Sequence, residues 1–394
     1  MRFVILVVAA LPIVQNAIID QNAGPEARKL YDKLTNIARD PKKILFGQES
    51  NTVWGAEGGV SPYSVGTPHD GNVKGWLYRA DMVEHGIPDS LCDIQRLTGD
   101  YPAVNGIGYG EVDHNNKVLN DYIVRRSYER GELIVSAHHQ HNPVTNGTAW
   151  IATDKGDTLH TVKRILPGGD FHEVYRRRLD SVAARMKGFK TSSGQTIPIV
   201  FRPFHELNGG WFWWGFKNKA QNTAQEIKEL YRYTVKYLRD TKQVHNVLYA
   251  YSPDRFQDKA DYLKLYPGDD YVDILGMDFY YHDGAESTDT FVSKVINVVE
   301  LAEDRHKIPA VTEIGIFNNG IDKMPNFWSD HILEPLKKST KGTRIAYLHA
   351  WANICLHACQ KWTPYRGHPG ADAFINNFYK DPVMLFAKDA HLYD

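Results

Sequence analysis

Short apolar runs alternate along the chain with longer segments whose apolar residues recur every third or fourth position. The runs are ILFGQE (44–49), AVNGIGYG (103–110), LIVSAHH (133–139), IPIVFRPFHE (197–206), VLYAYSP (247–253), VDILGMDFY (272–280), IPAVTEIG (308–315) and RIAYLHAWAN (344–353). Several open on a continuous β-branched or aliphatic stretch, as expected of parallel strands buried on both faces. Between them, Val174, Tyr175, Leu179, Val182, Ala183 and Met186 mark an amphipathic helix over 171–188. Phe291, Val292, Val295, Val298, Val299 and Ala302 mark another over 289–303, and 219–240 is rich in strong helix formers. Roughly eight strand–helix alternations without a linker or low-complexity tract predict an α/β protein built as a single (β/α)8 TIM barrel. A doubly wound open sheet is the alternative, but no Gly-rich phosphate loop follows the first strand.

Within almost every run the apolar residues come first and the polar or aromatic ones last. Gln48 and Glu49, His138 and His139, His205 and Glu206, Asp278 and Tyr280, Glu313, and His349 and Trp351 all fall at C-terminal ends. In a barrel those ends converge on one face, where active sites are built. Residues far apart in sequence are therefore expected to share one mouth.

Composition narrows the partners. The 394 residues hold 46 basic and 47 acidic side chains, a formal charge of −1. That balance argues against nucleic acid or an anionic membrane surface as a partner. The opening MRFVILVVAALPIVQNA has one Arg, an apolar run and a small residue at Ala17. This is the layout of a secretory signal peptide over 1–17, leaving 18–394 as the catalytic domain of an extracellular protein. Of three cysteines, Cys355 and Cys359 are four apart and form the preferred pair, although Cys92 could partner either. Asn146-Gly147-Thr148 is a glycosylation sequon and points to an exposed loop.

The densest chemistry lies in RPFHELNGGWFWWG (202–215). A zinc-protease helix would need a second His at position 209, which is Gly. His138, His139 and His141 could approach a metal, but no nearby carboxylate or Cys completes a ligand set. No G-x-S-x-G elbow is present for a serine hydrolase. Glycoside hydrolysis remains: it needs two carboxyl groups flanking the scissile bond, one protonated and one ionised. Glu206 ends the fourth run and Glu313 lies in the seventh, so both reach the mouth. The indoles of Trp211, Trp213 and Trp214 offer flat faces for pyranose rings and a low dielectric that keeps one Glu protonated. Such chemistry requires no metal and no cofactor.

RPFHELNGGWFWWG resembles the acid/base motif of glycoside hydrolase family 26, TEIG (312–315) its nucleophile motif, and GMDFY (276–280) and HAWAN (349–353) its other barrel-end segments. The likeness runs in order from about Phe46 to Trp351. It implies a (β/α)8 barrel and a retaining endo-β-1,4-mannanase acting on mannan, galactomannan or glucomannan, with Glu206 as acid/base and Glu313 as nucleophile. It further implies substrate contacts from His205, Trp211, Trp351, His139 and Asn142, and a bond from Tyr280 to the nucleophile. The implied partner is a β-mannan chain, met by a monomer. Mixed-linkage β-glucan or β-1,3-xylan specificity, or a non-catalytic glycan-binding barrel, are the alternatives. Two positions depart from the family pattern: Gly108 stands where an acidic residue is expected, and His138 where a Trp is common.

Overall fold

A computed structural model describes residues 17–58, 62–63, 75–108, 117–282, 287–355 and 359–394. The expected leader, apart from Ala17, lies outside the described residues, as do 109–110 of the second run.

Each of the eight runs contains a strand of one parallel sheet: β1 (Ile44–Glu49), β2 (Val104–Ile107), β3 (Leu133–Ala137), β4 (Ile199–Arg202), β5 (Val247–Tyr251), β6 (Ile274–Leu275 and Asp278–Tyr281), β7 (Ile308–Pro309 and Val311–Ile316) and β8 (Tyr347–Ala350). Neighbours in sequence pair side by side, and β8 returns to β1 through Leu45–Tyr347. β6 and β7 are each interrupted once, yet they pair on both sides of the break: Ile308 with Ile274, and Glu313 with Asp278. The ring therefore closes, and the fold is the (β/α)8 barrel that the alternation predicts.

Physical chemistry separates the core into two layers. Leu45, Val104, Leu133, Val135, Val200, Leu248, Ile274, Ile308 and Tyr347 form one buried cluster with Ala27, Leu30, Leu34 and Ile37 of helix Pro25–Arg39. That helix thus packs with the strands' smaller cluster, while a larger cluster joins the strands to the outer helices. The expected helices appear at His172–Gly188 and Thr288–Arg305. The segment 219–240 becomes helical only from Ala224, where Thr223 and Glu226 form a capping box; residues 219–222 precede the cap and stay irregular.

The strands end earlier than the apolar runs suggest. β4 stops at Arg202, and the chain turns through 203–206. His138, His139 and Trp351 likewise lie just past β3 and β8. Glu313 and Tyr280, by contrast, lie within β7 and β6. Cys355 and Cys359 are joined, closing a small hairpin, and Cys92 is a buried free thiol. Among the described residues no helix is long and apolar enough to cross a membrane.

Candidate active site

Past the end of β4 the backbone is forced into an uncommon conformation. Phe204 and Glu206 have φ of 54° and 52°, the left-handed region that costs energy for any residue with a Cβ and recurs at functional sites. The strain is held by the neighbouring loop. The Glu206 N–H donates to the Ser252 carbonyl at 2.8 Å. Asn208 accepts from the Asp254 N–H at 2.8 Å and donates to the carbonyls of Asp254 and Arg255 at 3.0 and 3.1 Å. The outcome is a Glu206 side chain lining a cavity of about 520 Å³ at the barrel mouth.

Glu313 lines the same cavity from β7. Its Oε2 accepts the Tyr280 hydroxyl at 2.6 Å, and its Oε1 accepts from Nη2 of Arg202. The other arm of Arg202, Nη1, donates to Asp278 at 2.7 Å and to the Ser252 hydroxyl at 3.1 Å. Thr312 donates to the second Asp278 oxygen at 2.7 Å. Arg202 is only 1 % exposed, so its charge is tolerated because two carboxylates flank it. One oxygen from each of Glu206, Asp278 and Glu313 lies within 4.8 Å of the others. Three carboxyl groups this close resemble a cation site, but the guanidinium of Arg202 already bridges two of them.

The two glutamates have opposite surroundings. Burial, then the charges of Glu313, Asp278 and Asp254, push the Glu206 carboxyl well above the usual range; the Trp211 N–H, 2.5 Å from Oε2, opposes this only in part. Glu313 instead receives two strong donors, the Arg202 guanidinium and the Tyr280 hydroxyl. Tyr280 keeps its proton, because burial and the adjacent Glu313 raise it well above 10.0. Burial, with Arg202 nearby, pushes His139 down to about 3. Burial and the other histidines hold His205 well below 6.5. Both imidazoles are therefore neutral near pH 7, suited to hydrogen bonding and not to proton transfer.

A strained acid loop and a clamped carboxylate across a barrel mouth invite comparison with known proteins. The profile described as Glycosyl hydrolase family 26 matches residues 73–354. The chain belongs to glycosyl hydrolase family 26. A mannan endo-1,4-beta-mannosidase of Bifidobacterium adolescentis is 34% identical over 94% of this chain and 36% of its own length. The chain thus spans about a third of that relative. The catalytic domain of the GH26 endo-beta-1,4-mannanase of Bacillus sp. JAMB-750 is 32% identical, with 96% of each chain covered and a TM-score of 0.78. A double mutant of the Cellulomonas fimi endo-beta-1,4-mannanase is 30% identical, covering 96% of this chain and 80% of its own, with a TM-score of 0.80.

In this family 26 chain the expected substrate contacts divide. His139, His205, Trp211, Tyr280 and Trp351 line the cavity with Glu206 and Glu313. Asn142 does not: it is fully buried behind the wall, with its Oδ1 accepting the Val144 N–H at 2.9 Å and its amide 3.4 Å from Thr161. Its side chain turns the loop, with Oδ1 also accepting the Thr145 N–H at 3.4 Å. Trp213 and Trp214 are also buried, donating to the carbonyls of Gln140 and His205 at 2.9 Å. Trp214 thereby holds the segment next to Glu206 in place. His138 does not line the cavity and His141 is exposed, so the three histidines do not converge.

The glycine at 108 has a steric counterpart: a Cβ there would lie 2.5 Å from the Glu49 carboxylate, which is buried beside His349. Sequence reasoning missed Trp150, Asp254, His282, Phe317 and Trp362 among the lining residues. Asp254 directly follows the fifth apolar run and was detectable as a strand-end polar residue. Trp362 lies beyond the eighth run and carried no such signal.

Proposed function

We propose that this chain is a retaining endo-β-1,4-mannanase, with Glu206 as the general acid/base and Glu313 as the nucleophile. The observation that carries the proposal is the closeness of the two unlike carboxyls: oxygens within 4.8 Å, one side chain kept protonated by burial and one held by Arg202 and Tyr280. Retaining glycosidases hold their carboxyl groups about 5–5.5 Å apart, whereas inverting ones need room for a water, about 6.5–9.5 Å.

In the first step a Glu313 oxygen attacks the anomeric carbon as its bond to the glycosidic oxygen breaks. Glu206 gives its proton to that departing oxygen. Trp211 donates to Oε2, so Oε1 is the oxygen that carries the proton. Esterified Glu313 no longer bears a charge, which lowers the affinity of Glu206 for a proton. Glu206 then takes a proton from water as the water oxygen attacks the anomeric carbon and the bond to Glu313 breaks. Mannan as substrate is supported by the names of the family 26 relatives.

The deciding experiment is reducing-sugar release from galactomannan, glucomannan, mixed-linkage β-glucan and β-1,3-xylan, with Glu313→Ala as control. Mannan cleavage that disappears in the control is expected. Cleavage of another polymer alone would move the specificity, and unchanged hydrolysis by Glu313→Ala would remove the nucleophile. Proton NMR at early times reads the anomer released, and inversion would overturn the retaining step.

We further propose export, on the strength of the apolar leader and the Cys355–Cys359 bridge, and a monomeric state. Sequencing of the N-terminus after expression in a secreting host tests the export. Light scattering on the purified protein tests the monomer.

A further inference from the structure

We propose that Trp362 is a substrate-contacting residue of this cavity, presenting its indole to a pyranose ring bound beside Glu313; the inference rests on the glycoside-hydrolase function proposed above. Trp362 stands apart from both layers of the core. It forms a small cluster at the mouth with Tyr280, Trp351 and Phe317, and it lines the cavity. Its ring meets Tyr280 at 5.1 Å and Phe317 at 5.5 Å between centroids, both edge to face. Tyr280 is also the residue whose hydroxyl holds Glu313, so the indole abuts the group that positions the proposed nucleophile.

Room for the indole is built into the nucleophile segment. A Cβ on Gly315 would lie 2.4 Å from Cε3 and 3.0 Å from Cζ3 of Trp362. The glycine two residues after Glu313 thus lets a bulky ring seat directly against the strand backbone. Elsewhere the segment is pinned by its main chain. Asn353 accepts from the N–H groups of Trp362 and Thr363 at 2.8 and 3.1 Å, while its amide donates to buried Asp93 at 2.9 Å. Asn319 accepts the Lys361 N–H at 2.7 Å and donates to the Cys359 carbonyl at 2.9 Å. These contacts orient residues 359–363 as rigidly as a binding wall requires.

The indole nitrogen separates this residue from four other buried tryptophans, and its place on the cavity wall separates it from Trp54, whose Nε1 is also without an acceptor. Trp76, Trp213, Trp214 and Trp328 each donate to a protein acceptor. The Nε1–H of Trp362 is buried without any, although the residue is 7 % exposed and faces a cavity. A buried donor with no acceptor is costly, and a sugar hydroxyl would satisfy it. A pyranose supplies both requirements: a face of C–H groups for the aromatic surface and hydroxyls for the N–H.

The test is calorimetric binding of β-1,4-mannohexaose to Glu313→Gln protein, alone and combined with Trp362→Ala or Trp362→Phe, with hydrolysis by the unaltered protein assayed in parallel. We expect Kd to weaken about tenfold for the Ala variant. The Phe variant keeps an aromatic ring but lacks the donor, and about a threefold loss is expected. Should a thermal melt show the Ala variant unfolded, the Phe variant decides. Binding as tight as the parent's, with mannan still hydrolysed by the unaltered protein, overturns this inference alone. Absence of both hydrolysis and parental binding overturns it together with the proposed function.

Discussion

Trp211 and Glu206 are joined by a 2.5 Å hydrogen bond from Nε1 to Oε2. An indole can only donate, so this bond selects which oxygen of the acid is free to hold a proton. It also favours the ionised form, working against the burial that raises the carboxyl. Trp211→Phe should therefore raise the pKa of Glu206 further and move the alkaline limb of the activity profile to higher pH. A limb that moves to lower pH would contradict this account of the site.

Burial of Glu206 has a thermodynamic signature. Its folded pKa is well above the 4.5 of an exposed Glu, so between those values the unfolded chain releases a proton that the folded one keeps. Stability is lost as pH rises through the folded pKa, and no difference exists below about 4.5. Glu206→Gln, a neutral mimic of the protonated acid, should be more stable than the parent at pH 8 and equal to it at pH 4. Urea denaturation at the two values measures this. An advantage that is larger at pH 4 would refute it.

Around Glu313, two donors differ in what they protect. Tyr280→Phe removes only the hydroxyl that donates at 2.6 Å; a hydrogen bond to a charged group is worth about 1.5–3 kcal/mol, so kcat should fall about 10- to 150-fold with little change in melting temperature. Arg202→Met removes the buried cation from between Asp278 and Glu313. Breaking such a pair costs about 3–5 kcal/mol, and this variant should lose both activity and stability. Equal melting of the two variants would mean that the guanidinium is not the keystone described.

The buried imidazoles predict acid sensitivity. His139 is held at about 3 and His138 at about 4, against 6.5 when exposed, chiefly by burial. The unfolded chain takes up these protons first, so stability is lost as pH falls from 6.5 towards 4. His139→Gln should lose less stability than the parent between pH 7 and pH 5, by roughly 2 kcal/mol at most. An identical loss in both proteins would show that His139 does not contribute.

The sequence alone determined the barrel. Eight apolar runs with polar ends need only a local period to be recognised, and all eight became strands of one ring. It also singled out Glu206, Glu313, His205, Tyr280 and Trp351, because strand ends must meet at one face whatever the loops do, and Trp211 through the 202–215 motif. Tertiary structure decided which polar groups were already taken. Asn142 spends its hydrogen bonds on the Val144 N–H and the Thr161 hydroxyl, and Trp213 and Trp214 spend theirs on backbone carbonyls. Nor could spacing place Trp362 against Gly315, since a contact between residues 47 positions apart depends on how a loop returns over the barrel. The raised proton affinity of Glu206 likewise came from burial and neighbours, which no linear pattern encodes.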